Sequence, residues 1–263
     1  MAMKLYHMSG AGNDFMVMDA REIELDFSQL AVRACREYGT DGFMALDVSE
    51  IANFRLHFYN ADGSRGEMCG NGARCICKFA YDLGLVGEEM TLQTDAGLVY
   101  GWHLEKNRYR VALNLPQIVD LHRREDAAYV ELGDPGIPHS VTRLPGLTFE
   151  NREQLRSRMR TLRYDPAFPK GANVNFYDWL DGTTVRILTY ERGVEDFTLA
   201  CGTGSASTAV VLWKSGQLPG GKLTSENPGG TLSVTLREEK GKLTHLFLEG
   251  PAETISVYEK NTF

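Results

Sequence analysis

Alternation of apolar and polar residues, as in Thr231–Leu236, predicts half-buried antiparallel strands. Two runs without Gly or Pro, Ala73–Leu83 and Ser205–Ser215, are each long enough for about three helical turns. These runs occupy matching places in two halves that repeat one another. Arg55-Leu56-His57-Phe58-Tyr59-Asn60 shares its Arg…Tyr-polar frame with Arg186-Ile187-Leu188-Thr189-Tyr190-Glu191, 131 positions later. Nine residues after Asn60 comes Cys69-Gly70-Asn71-Gly72, and ten after Glu191 comes Cys201-Gly202-Thr203-Gly204. A glycine follows each cysteine by 15 residues, Gly84 and Gly216, and suits the close of a helix. Strand-rich stretches then open at Thr94-Asp95-Ala96-Gly97 and Ser225-Glu226-Asn227-Pro228, and end near Leu115-Pro116 and Gly250-Pro251. Four matched landmarks in one order argue for duplication. The chain therefore reads as two homologous α+β lobes, 1–117 and 118–254. Pro116 and the charged run Arg123–Asp126 mark the divide, and 255–263, with Ile255–Tyr258 at its centre, reads as a strand returning to the first lobe.

Composition narrows the function. The 263 residues are 43% hydrophobic and carry a net charge of −7, which gives no basic stripe for nucleic acid. The cluster Arg152, Arg156, Arg158, Arg160 and Arg163 is interleaved with Glu150 and Glu153, and reads as a solvated helix face. No stretch approaches the ~20 apolar residues that span a bilayer, and Met1–His7 lacks the apolar segment of a signal peptide. Five cysteines, an odd count, fit free thiols in a reducing cytoplasm rather than a disulfide framework. Cys75 and Cys77 follow Cys69 at a spacing without metal-ligand geometry inside a helix, so with Cys35 they read as packing residues, and no metal is implied.

The paired Cys-Gly-x-Gly turns carry the chemistry. Each places a thiol beside a helix N-terminus, where N–H groups point outward and glycines let a ligand approach. The helix dipole favours thiolate over thiol by up to ~2 kcal/mol. One such turn is as well explained by a buried structural cysteine. Two at equivalent positions suit a carboxylate held by N–H groups of both helices, with a cysteine on each side of its α-carbon. One thiol then removes the α-proton, the other reprotonates the opposite face, and the dipoles stabilise the developing enediolate. No comparable paired signature suggests carboxylate acid–base or Ser/His/Asp chemistry.

The sequence resembles the diaminopimelate epimerase family. The matching pieces are Ser9–Phe15, Tyr59–Ser64, Glu67–Cys75, Pro138-His139, Asn173-Val174-Asn175-Phe176, Tyr190–Gly193, Leu199–Gly204, Pro228–Gly230 and Gly250–Ala252, nearly the whole chain in family order. The resemblance implies an α+β fold of two pseudo-symmetric lobes, each an antiparallel barrel-like sheet around a central helix, with the active site between them. It implies a cofactor-independent (PLP-independent) isomerase acting on a small amino acid, without nucleic-acid or membrane partners, and it leaves a homodimer open.

Carried over by position, Cys69 and Cys201 become the acid–base pair, and His139 and Glu191 the polar neighbours that set their protonation states. Backbone groups of Gly70, Asn71, Gly202 and Thr203 hold the reacting carboxylate. Asn13, Asn60, Asn173 and Arg192 hold the other substrate groups, with the main chains of Glu191 and Arg192 receiving a distal ammonium. Each has a plainer reading. Asn13 and Asn60 could stabilise turns, His139 could be a satisfied loop histidine, and Glu191 with Arg192 could be a surface ion pair.

Two departures fall at the substrate's distal end. Gly136-Ile137-Pro138-His139 stands where the family commonly has Gly-Asn-Pro-His, and Gly193–Thr198 is one residue longer than the family's Gly-Ala-Gly-Glu-Thr. A racemase of another amino acid on the same scaffold therefore competes with diaminopimelate epimerisation. Phenazine-type isomerases share the fold class but are not expected to keep both cysteines. A non-catalytic amino-acid binder and a thiol redox protein are rivals of a different class.

Overall fold

A computed structural model describes residues 3–23, 25–66 and 69–260. Met1, Ala2, Glu24, Glu67, Met68 and residues 261–263 lie outside the described residues, among them the first two residues of the Glu67–Cys75 motif and the tip of the returning segment. The chain divides into two compact units, Met1–Val111 with Gly250–Phe263, and Ala112–Glu249.

In the first unit, β1 (Met3–Gly10) and β2 (Asn13–Asp19) form a hairpin. Its two-residue turn has positive φ at Ala11 (59°) and Gly12 (81°), the backbone hand that matches strand twist in such a short loop. Helix α1 (Phe27–Tyr38), capped by Asp26 accepting from Gln29 N, crosses back to place β3 (Gly42–Asp47) parallel to β2. Strand β4 (Phe54–Asn60) runs antiparallel to β3, followed by the short β5 (Arg65–Gly66). Helix α2 (Gly70–Asp82) is a second crossover, after which β6 (Glu89–Thr94) lies parallel to β4. Antiparallel β7 (Gly97–Glu105) and β8 (Arg108–Leu113) follow.

The second unit opens with β9 (Pro116–Asp120), which pairs with β10 (Ala128–Leu132). From β10 onward the order of the first unit repeats. The elements are β11 (Ile137–Arg143), α3 (Arg152–Arg163), β12 (Asn173–Trp179), β13 (Thr184–Glu191), β14 (Asp196–Thr198), α4 (Gly202–Lys214), β15 (Lys222–Asn227), β16 (Gly230–Glu239) and β17 (Lys242–Pro251). The parallel pairs repeat as well, β11 with β12 and β13 with β15. The last strand, β18 (Glu253–Lys260), belongs to the first unit, where it pairs with β1 from Met3↔Lys260 to Ser9↔Glu253. The sheets are thus mainly antiparallel, with two parallel pairs per unit. Each parallel pair is a consequence of a helical crossover, which a tight hairpin cannot replace.

Burial separates the helices. α1 buries Leu30, Ala31, Ala34 and Cys35 against Met16, Met18 and Phe43, while α3 buries only Met159 and Leu162 over Phe176 and Leu188. Arg156 and Arg158 of α3 lie outward in ion pairs, Arg156 with Glu153 and Asp196, Arg158 with Asp126, whereas Arg163 departs from the solvated face and is largely buried against Glu195. By contrast, α2 and α4 each bury ten of their thirteen residues, as the central helix of a curled sheet must. The Ser, Thr, Val and Gly of α4 are modest helix formers, so its order comes from burial of Val210, Val211 and Leu212, at ~1.5–3 kcal/mol for each large aliphatic.

Both central helices begin three residues before the Gly-free runs, at the Gly-x-Gly itself. The space there is tight, since a Cβ on Gly72 would stand 3.1 Å from Met44 Sδ and one on Gly204 2.2 Å from Asn175 Oδ1. Both end as the sequence suggests. Gly84 (φ 69°) donates to Tyr81 O and Leu85 to Ala80 O, and Gly216 (φ 74°) donates to Trp213 O and Gln217 to Leu212 O. Each is a left-handed closure that satisfies the last carbonyls.

Candidate active site

In the first unit, the hairpin turn delivers Asn13 to the start of α2. Cys69 is the extended N-cap of that helix, and its thiol donates to Asn13 Oδ1 at 3.7 Å. Asn71 Nδ2 reaches the same oxygen at 3.4 Å. The polarity of this chain is fixed at both ends by charge. Asn13 Nδ2 donates to Asp41 Oδ2 at 2.5 Å, and Arg74 Nη2 donates to Asn71 Oδ1 at 3.0 Å, so Asn13 presents its oxygen to the thiol. Asp41 is itself held by Asp14 N, at 2.8 Å. Arg74 is wholly buried and also donates to Gly70 O (3.2 Å) and Pro251 O (3.4 Å). Burial pulls its guanidinium down to about 10, which leaves it charged at neutral pH. Gly10 allows this close approach, since a Cβ there would meet Asn71 O at 2.9 Å.

Asn60 stands apart from this group. Its exposed amide donates to Ser64 Oγ at 2.9 Å, within the turn that Gly63 (φ 82°) permits. Cys75 and Cys77 point into packing. Their burial pushes both thiols up to about 12, and their sulfurs press on Gly10 and Gly101, which have no room for a Cβ. Cys35 is likewise buried.

In the second unit, β11 and β12 set His139 directly beside Asn173. Asn173 Oδ1 accepts from Arg192 N at 2.8 Å, which ties the end of β13 to this pair. The exposed Arg192 guanidinium donates to Lys170 O at 3.2 Å. Glu191 ends β13, partly exposed. Cys201 is the N-cap of α4, and its sulfur accepts from Gly204 N at 3.3 Å and lies 3.5 Å from Thr203 Oγ1. The N–H groups of Gly202 and Thr203 belong to the same first turn, at the positive end of the helix dipole.

The longer segment after Arg192 is anchored. Glu195 (φ 57°) accepts from Arg163, Tyr164 and Gly193 N, and Tyr190 donates to its carbonyl at 2.6 Å. These bonds hold the Glu carboxyl below the ordinary range despite the opposing effect of burial.

Reading motifs alone missed Arg74, Asp41 and Asn175. Asn175 is completely buried and bonds His139, Ser140, Asn173 and Thr189. Its signal was the period of two, because Asn173 and Asn175 share one face of β12. Arg74 had a signal too, as the lone charge within the apolar run Ala73–Cys77.

His139 makes a pH prediction. Burial, assisted by the charge of Arg192, pulls its imidazole down to about 3. Below pH ~6.5 an unfolded chain takes up a proton that the folded chain refuses, so stability falls as pH drops from there toward 3. Between pH 7 and 5 this amounts to about 2 kcal/mol. Urea denaturation at both pH values should show a loss larger by that amount in the parent than in His139→Gln. Equal losses would refute it.

Each unit thus folds as a curled sheet around a buried helix, with a cysteine N-cap and a Gly-x-Gly start, and this defines a known class of α+β protein. The fold is shared with a PhzF-family phenazine biosynthesis protein of Bacillus anthracis, at a TM-score of 0.77 and 14% identity over 100% of both chains. It is shared too with a probable proline racemase of Agrobacterium radiobacter K84, at a TM-score of 0.70 and 17% identity over 97% of this chain and 92% of that one. A family-wide sequence profile described as diaminopimelate epimerase matches residues 5–118 and 133–255, and the chain belongs to that family of isomerases. The diaminopimelate epimerase of Flavobacterium psychrophilum is 33% identical over 96% of this chain and 98% of its own, and that of Chlorobaculum tepidum 33% over 94% and 97%. Among the described residues, no helix is long and apolar enough to cross a membrane.

Proposed function

We propose that this chain epimerises LL-diaminopimelate to the meso form, in lysine and cell-wall synthesis, with Cys69 and Cys201 as a two-base pair and without PLP. The observation that carries the reading is the family membership across both units, together with a cysteine N-cap on each buried central helix. One sulfur, as thiolate, takes the α-proton. The electron pair moves into the carboxylate to give an enediolate, and the other sulfur, as thiol, delivers its proton to the opposite face. The α-carbon is inverted, and the two sulfurs have exchanged protonation states.

Helix-start N–H groups of Gly70, Asn71, Gly202 and Thr203 stabilise the enediolate charge, which grows only as the proton leaves. Asn13 offers an acceptor to the Cys69 thiol, and His139 and Glu191 set the protonation balance of the pair. Asn60, Asn173 and Arg192, with the main chains of Glu191 and Arg192, hold the distal ammonium and carboxylate.

A second reading, racemisation of another amino acid, is favoured by Ile137 and by the anchored, longer turn at Glu195. Arg192 decides between them. A planar cation pairs with a second carboxylate but not with an apolar or cationic side chain. Replacing one lost neutral amide costs only ~0.5–1.5 kcal/mol, which a main-chain group or water offsets. The test is α-hydrogen exchange in D₂O across LL-diaminopimelate, histidine, lysine, alanine and proline. LL-diaminopimelate should exchange and invert fastest, and Arg192→Met should lower its kcat/KM about tenfold, as one charge-assisted contact is worth ~1.5 kcal/mol. A monocarboxylic amino acid as the better substrate overturns the proposal, and so does binding without exchange.

A further inference from the structure

The side chain of Asn175 has only one orientation consistent with its neighbours. Its Nδ2 lies 2.9 Å from Ser140 O and 3.2 Å from Asn173 O, two carbonyls that can only accept. Its Oδ1 accepts from Thr189 Oγ1 at 2.9 Å. The amide therefore turns its NH₂ end toward His139, with Nδ2 at 3.2 Å from His139 Nδ1. A hydrogen on Nδ1 would point at a group that has only hydrogens to offer. Nδ1 must be the bare nitrogen, and a neutral ring then carries its hydrogen on Nε2. That Nε2 is buried and has no partner among the described residues. A buried donor without an acceptor is costly to maintain unless a ligand completes it.

The first turn of α4 closes over the same amide. A Cβ on Gly204 would stand 2.2 Å from Asn175 Oδ1, and 3.2 Å from Cys201 Cβ. Asn175 thus sits beneath the helix start that bears a thiol, and binds the histidine at the same time.

We infer that Asn175 is a positioning residue that holds His139 as its neutral Nε2–H tautomer, so that His139 offers the reacting groups a hydrogen-bond donor and not a base. The catalytic part of this inference rests on the proposed epimerisation. His139 then stabilises a thiolate or the substrate carboxylate by donation, and it does not itself deprotonate a cysteine.

The test uses the full-length protein labelled with ¹⁵N-histidine and a long-range proton–nitrogen correlation at pH 7. The sequence has six histidines, and the signals of His139 are those lost in His139→Gln. In the parent, Nδ1 should resonate as a bare nitrogen and Nε2 as a protonated one. In Asn175→Asp the carboxylate can only accept, so the hydrogen should move to Nδ1 or the ring should become doubly protonated. A misplaced tautomer disables a catalytic histidine, so kcat should fall roughly 10-fold or more while KM changes less than about 3-fold. A parent spectrum with Nδ1 protonated overturns the inference whether or not the variant folds. A variant that shifts the tautomer and keeps kcat overturns the positioning role. A parent with the stated tautomer but no epimerase activity on any amino acid sinks the proposed function, and leaves the tautomer assignment standing.

Discussion

Cys69→Ala and Cys201→Ala should each lower the inversion of diaminopimelate at least ~100-fold, the lower end of what a positioned acid or base contributes. Inversion needs a group on each face of one carbon, and removing either leaves a face that can neither lose nor gain a proton. In the proposed mechanism the sulfurs exchange roles with direction, so both variants should lose the LL-to-meso and the meso-to-LL reactions together. A loss in one direction alone contradicts the thermodynamic symmetry of the pair. Folding is a minor confounder, since each substitution removes one sulfur at a helix N-cap and leaves the buried faces of α2 and α4 unchanged. The measurement is the rate of interconversion by NMR, with the urea midpoint as control. A variant of either kind that inverts at near the parental rate ends the two-base assignment.

Arg74→Met should cost about 3 kcal/mol of stability, and should lower activity as well. The guanidinium donates to Gly70 O, Asn71 Oδ1 and Pro251 O from a wholly buried position. Methionine fills much of the volume but takes a charged donor away from three buried acceptors, and each hydrogen bond to a charged group is worth ~1.5–3 kcal/mol before the surroundings relax. The gain from no longer burying a charge offsets part of that sum. Arg74→Lys should recover little, because a compact ammonium on a flexible stem cannot serve three acceptors in a plane. Activity should follow stability downward, because Asn71, which donates to the same Asn13 oxygen as the Cys69 thiol, loses the charge that orients it. Urea unfolding of both variants checks the claim, and a loss below about 1 kcal/mol for Arg74→Met defeats it.

The repeat, the two central helices and the closing glycines were legible because each is written in local residues. Gly84 and Gly216 take a left-handed backbone, and Cys-Gly-x-Gly stands at a helix start at both of its places in this chain. Strand order was not legible. That β2 pairs with β3 and β4 with β6 in parallel follows from where the crossovers land, which no window of sequence contains. Strand β9 hid behind Pro116, which is tolerated because it is the first residue of the strand. In the candidate site, thiols and glycines stood out by pattern, whereas Arg74, Asp41 and Asn175 are bonded to partners that are distant in sequence or on a neighbouring strand. A lone arginine in an apolar helix reads as solvent-facing until the acceptors around it are known.

The pairing of β18 with β1 also governs how the chain can acquire its shape. The second unit is one continuous stretch, Ala112–Glu249, and has all its strands as soon as that stretch has left the ribosome. The first unit is begun earliest and finished last. Until residue 260 has been made, one flank of β1 shows an unmatched row of main-chain donors and acceptors, an invitation to intermolecular pairing. The closure of that edge joins residues some 250 positions apart, among the most distant contacts the chain makes and the slowest kind to find by chain diffusion. Synthesis therefore supplies the last strand of the later unit before that of the earlier one, which waits on β18.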